Sequence, residues 1–162
     1  MFVSAIDLTG EVSLVILKGD GEVIVRVPIG FDPEADLVYS AVIALSPLIG
    51  YADAPGYELV FSIVKAATDG SELRVFWDGR ETGALLCEAT LRRQVRDLIL
   101  LCVEAAVDEA APALVSMTTH SANLPDRAST KYHEICALLR QRGFIAGKAD
   151  IWHGHHIWMM TR

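Results

Sequence analysis

Through the first half of the chain, apolar and polar residues mostly alternate with a period of two, the pattern of half-buried strands. Residues 11–17 and 22–27 are two such runs. Between them stands Lys18-Gly19-Asp20-Gly21, where Gly and Asp tolerate positive φ, so a hairpin is predicted. Residues 57–65 and 72–77 repeat the arrangement around Thr68-Asp69-Gly70-Ser71. Residues 2–8 read as a further strand. Asp78-Gly79-Arg80 turns the chain again and leaves residues 83–87 as another expected strand. One segment reads differently. In Phe31-Asp32-Pro33-Glu34 an N-cap Asp precedes a proline at the first helical position, which predicts a helix to about Leu45, ending before Pro47.

The second half changes period. Residues 90–110 are rich in Leu, Arg and Ala and contain neither Gly nor Pro, so a long helix is predicted. Its apolar residues cover more than one face, which requires burial against a sheet. Residues 113–117 form a short expected strand. From Asp126 to Arg142, Tyr132, Ile135, Cys136 and Leu139 fall at i, i+3, i+4 and i+7, one helical face, and Gly143 is placed to close that helix with positive φ. Residues 144–152 and 156–160 close the chain as a hairpin around His153-Gly154-His155, with Trp152 and Trp158 expected as cross-strand neighbours. Strands followed by helix, strand, helix and hairpin predict one α+β domain over residues 1–162. Its sheet should be mixed and largely antiparallel, with about three helices.

Composition supports a packed core, since 52% of the 162 residues are hydrophobic and 22% charged. No uncharged apolar run approaches the roughly 18 residues of a membrane span. The N-terminal residues lack the basic start and cleavage site of a signal peptide. Cys87, Cys102 and Cys136 are few, widely spaced and set in apolar stretches, so buried, reduced thiols and a cytoplasmic location are expected. The net charge of −7 is uneven: 14 acidic against 5 basic residues through Glu88, and 7 against 9 thereafter. An acidic chain without a basic run is a poor partner for nucleic acid, whereas its acidic half suits a basic protein.

Two local clusters carry candidate chemistry. Thr118, Thr119, His120, Ser121 and Asn123 lie at the exit of the 113–117 strand, and Arg127 follows them. Ligands favour the carboxyl ends of strands, and the following helix's N-terminus can receive an anion, but the same residues also make ordinary capped loops. Near the chain's end, His153, His155 and His156 suggest metal, with His120, His133 or Asp150 needed to complete a site. Alternation along a strand sends His155 and His156 to opposite faces, so a solvated hairpin tip and no metal is the expectation. Arg92, Arg93 and Arg96 form a basic spot on the long helix, expected to be a solvated face. GxSxG, GxGxxG and GxxxxGK[ST] are all absent, and no cysteine stands in an electropositive, exposed setting.

The tail from Thr90 to Arg162 resembles the closing half of the GNAT acyltransferase fold. The resemblance rests on Ala137-Leu138-Leu139-Arg140-Gln141-Arg142-Gly143-Phe144, a helix ending before Gly-Phe. It rests also on Ile157-Trp158-Met159-Met160 as a last strand, and on Asn123 ahead of the helix. It implies acetyl-CoA as cofactor and chemistry near Thr118, Thr119, His120 and Asn123. The family's glycine-containing pyrophosphate loop is here Ala89-Thr90-Leu91-Arg92-Arg93-Gln94, without glycine, and its catalytic Tyr is replaced by Leu139. The sequence therefore favours a non-catalytic binding or regulatory module, an adaptor or inhibitor of a protein partner, needing no cofactor. The alternative is an acyl-CoA-dependent N-acyltransferase with a divergent cofactor loop. A split between the strands at 83–87 and 113–117 would favour the alternative, and a zipped sheet the module.

Overall fold

In the computed structural model, which describes residues 1–50 and 55–162, the chain is α+β: a nine-stranded, mostly antiparallel sheet with three α-helices. The strands are β1 (Val3–Ser4), β2 (Val15–Gly19), β3 (Glu22–Asp32), β4 (Leu37–Pro47), β5 (Gly56–Ala67), β6 (Glu72–Phe76), β7 (Leu114–Thr118), β8 (Ile145–Lys148) and β9 (Ile157–Thr161). The helices are α1 (Arg80–Leu85), α2 (Ala89–Ala110) and α3 (Thr130–Gln141), the last preceded by a 3-10 turn, Asp126–Ser129. The sheet runs β1-β3-β4-β5-β7-β9-β8, with β2 also on β3 and β6 also on β5.

Period-two alternation places the core on one face. Val23, Val25 and Val27 of β3, Tyr39, Ala41, Ile43 and Leu45 of β4, and Leu59, Phe61 and Ile63 of β5 are buried, and the residues between them mostly are not. Helix α2 packs over β3 and β4 through Val95, Leu98, Cys102, Val103 and Ala106, and α3 lies beside α2 and β8. The buried face of α3 is Tyr132, Ile135, Cys136 and Leu139, as its spacing predicts, and Gly143 follows with φ +88. A Cβ is strained at that angle, so glycine fits there. Arg142 ties the end of α3 to Glu104 and Asp108 of α2. Both predicted hairpins of the first half form, the earlier one turning at Asp20 and Gly21.

Four expectations are corrected. The helix predicted from Asp32 to Leu45 does not form. β3 runs on through Asp32, the chain turns, and residues 37–47 become β4, the partner of both β3 and β5. The Asp32 carboxylate does accept the Glu34 and Ala35 amides, the bonds of a cap, but they close a turn. The β-branched run of Val38, Val42 and Ile43 between two waiting strands outweighs the local Asp-Pro signal. Residues 83–87, expected as a strand, belong mainly to α1, which turns the chain from β6 toward α2. Trp152 and Trp158 are not cross-strand neighbours. Trp152 is exposed and bridges His155 across a tight turn, whereas Trp158 is buried between Met117 and Lys148. Cys102 and Cys136 are buried, but Cys87 is exposed at the α1–α2 junction.

One break in the sheet positions everything that follows. β5 and β7 are parallel and pair only at Gly56–Leu114, Tyr57–Val115 and Glu58–Ser116. Beyond Glu58 they separate. The edge of β5 that β7 leaves is taken up further along by β6, at Ile63–Ala66. The split thus lies between β5 and β7, and β6 wedges its open end.

Candidate functional site

Asp78 stands where β6 ends, inside the split, and is only 5% exposed. Its carboxylate accepts the amides of His120 and Ser121 at 2.7 and 2.8 Å and the Tyr132 hydroxyl at 2.6 Å. Burial works against its charge, yet bonds from Tyr132, Ser121 and His120 outweigh it and hold the carboxyl below its ordinary range. Burial and the bond to Asp78 push the Tyr132 phenol up, so it stays a donor. Asp78 thereby pins the β7 exit loop and the first turn of α3 to the end of β6. No sequence motif marks it, because its three partners lie 42 to 54 residues away.

The polar run after β7 is built into this clamp. Thr119 is buried, and its hydroxyl accepts the His156 amide while its carbonyl meets His155 Nδ1 at 2.7 Å. The Thr118 backbone continues the β7 ladder opposite Ile157. His120 stacks on Trp77 with ring centroids 4.5 Å apart. Asn123, at φ +54, donates its amide to the Gly154 carbonyl. A Cβ on Gly154 would lie 2.6 Å from the Asn123 side-chain oxygen, so glycine is needed where loop and closing turn meet. The two candidate clusters, the post-strand loop and the histidine turn, are therefore parts of one structural unit. Among the described residues no three His, Cys, Asp or Glu side chains converge as metal ligands.

Arg127, alone of the six ligand-binding candidates, faces a cavity. That cavity measures about 630 Å³ and lies between β5, the end of β6, α1, the first half of α2 and the start of α3. Its apolar wall is Phe61, Ile63, Phe76, Leu86, Val95 and Ile99. Arg92, Arg93, Arg96, Arg127 and Lys131 also line it, five of the chain's fourteen basic residues, against a single acid among the described residues, Asp78. In a chain of charge −7 this is a local reversal of sign, and the basic spot of α2 lines a cleft while Arg92 and Arg93 remain exposed to solvent.

These cations are not equally free. Arg92 donates to the Leu86 and Cys87 carbonyls and so caps α1. Arg96 lies 3.4 Å from Glu134, yet its Nε is buried without a hydrogen bond. Arg93, Arg127 and Lys131 have no hydrogen bond or ion pair through their side chains among the described residues. Ala89, the first residue of α2, also lines the cavity, which brings the positive end of a 22-residue helix to its rim. The signal for this site was present in the sequence as Arg92, Arg93 and Arg96, but only folding joins them to Arg127, Lys131 and an apolar wall. No helix of the described residues is long and apolar enough to cross a membrane. No family model, curated protein or solved structure matches this chain.

Proposed function

We propose that the chain is a non-catalytic binding module whose ligand is a small anion with an apolar body, held in the cavity beside the β5–β7 split. The observation that carries this reading is the meeting of an apolar wall with three otherwise unpaired cations, Arg93, Arg127 and Lys131, in one concave site of about 630 Å³. Ligand sites combine mainly apolar linings with a few convergent polar groups, and the volume falls in their usual range. The protein partner suggested by the acidic first half would dock elsewhere, because among the described acids through Glu88 only Asp78 faces the cavity.

Phenyl phosphate tests the reading, with inorganic phosphate and phenol as head-only and body-only controls. Calorimetry should show phenyl phosphate binding more tightly than either control, and Arg93→Ala with Arg127→Ala should weaken it at least about tenfold, or 1.4 kcal/mol. Equal affinity for phenyl phosphate and phenol, or no change in the double variant, would refute it.

A second reading, an acyl-CoA-dependent N-acyltransferase, is favoured by the parallel pairing that stops after three residues. Against it stand β6, bonded to the β5 edge along the split, and the glycine-free start of α2. Acetyl-CoA is expected to bind weakly. A dissociation constant in the low micromolar range, roughly −8 kcal/mol, would put acyl transfer first.

A further inference from the structure

We propose that Lys131 is an amine nucleophile that captures an anionic aldehyde or ketone as an imine, the arginines of the cavity holding the ligand's phosphate or carboxylate. The proposal rests on the anion-binding reading above and names the ligand's reactive group. Lys131 is the only one of the chain's four lysines that lines this cavity. Its Nζ lies 5.3 Å from the Phe61 ring centroid and 5.8 Å from that of Tyr132. It makes no hydrogen bond or ion pair among the described residues. By contrast, Lys18 is paired with Glu109, and Lys148 is an exposed residue beside Trp158.

A lysine becomes nucleophilic near neutrality when it is desolvated or placed beside other cations, because both disfavour the ammonium form. The first condition holds here, and the arginines of the second share the cavity with it. Among the described residues, the charged groups that line the cavity with it are Arg92, Arg93 and Arg96 from α2, Arg127 from the 3-10 turn, and Asp78 from the end of β6, while β5 contributes only Phe61, Ser62 and Ile63. Glu134 of α3 is turned toward Arg96. Burial lowers the Lys131 pKa and Asp78 opposes the change in part.

In the reaction the free amine attacks the carbonyl carbon, and its two N–H protons pass in turn to the carbonyl oxygen. The resulting carbinolamine then loses that oxygen as water, leaving a C=N bond to Nζ. Nothing is oxidised or reduced, and no co-reactant is needed. The cavity supplies an amine whose ammonium form burial disfavours, and cations that attract the anionic carbonyl compound.

Pyridoxal 5′-phosphate serves as the probe, being an aldehyde with a phosphate and an aromatic body. The native protein is incubated with it at pH 7, reduced with borohydride, and its peptides are sized by mass spectrometry. Lys131 should label faster than Lys18, Lys65 or Lys148, since burial disfavours its ammonium and the cavity's arginines hold the probe's phosphate near it. Phenyl phosphate should slow labelling of Lys131 and leave the other three unaffected. Lys131→Arg, with its fold checked by a thermal melt, should lose the selective adduct. Labels spread evenly over the lysines would overturn the proposal, as would a Lys131 adduct that phenyl phosphate does not displace. Calorimetry with phenyl phosphate separates the two ideas. Binding without selective labelling removes the imine and keeps the anion site, whereas no binding removes the anion site itself.

Discussion

At the scale of single residues, Asp78 organises more of the molecule than any residue in the polar run that the sequence singles out. Removing its charge leaves the His120 and Ser121 amides and the Tyr132 hydroxyl facing a weaker acceptor. Asp78→Asn should therefore cost about 2–4 kcal/mol, as losses at buried charged acceptors do. Its carboxyl is held below the ordinary range, so its contribution is present in full above the unfolded value of about 3.9 and is lost as pH falls toward the folded value. Urea unfolding of wild type and variant should show the full gap at pH 7 and a narrower one at pH 3. A gap unchanged by pH would mean that the charge is not what matters. Tyr132 illustrates how a residue legible as core carries a second duty. Its place on the buried face of α3 is set by spacing, and its stacking on Trp158 at 4.6 Å fits that role. Its bond to Asp78 depends on a side chain 54 residues away.

Among the elements, β9 lies inside the sheet, between β7 and β8, so its backbone bonds on both edges. Deleting residues 157–162 exposes the edges of both neighbours and removes Trp158 and Met160 from the core. Cooperative unfolding should disappear, as seen by circular dichroism during thermal melts. The turn before it is less demanding and not neutral. His155→Ala loses the bond to the Thr119 carbonyl and should cost about 1 kcal/mol, whereas His153→Ala, at an exposed side chain, should stay within about 0.5 kcal/mol. Equal effects at the two histidines would remove the clamp between loop and turn. α2 could be placed from the sequence by its long Leu-, Arg- and Ala-rich run without Gly or Pro, and α3 by its apolar stripe. β4 could not. Its Asp-Pro start satisfies a helix rule, and the decision fell to β3 and β5, which offer two edges to a β-branched run.

For the whole molecule, exposure of thiols provides a direct check of how the layers close. Cys87 should react with a thiol reagent at once in the native protein. Cys102, whose pKa burial raises to about 12, and Cys136, also pushed up by burial, should react only on unfolding. Three fast thiols would mean that α2 and α3 do not cover the sheet. The sequence by itself determined the class of the protein: hairpins from period two and turn residues, helices from their stripes, and so an α+β chain with a largely antiparallel sheet. These are local properties, encoded within windows of some twenty residues or fewer. Only tertiary structure decided where β5 and β7 part, that β6 enters the gap, and that Asp78 closes it. It also decided that cations from α2, the 3-10 turn and α3 converge on one apolar wall. The physical reason is that charge and burial are fixed by neighbours in space. Arg93 and Arg127 stand in separate clusters along the chain and Lys131 in neither, and they become one candidate site only when three elements bring them to the same cavity.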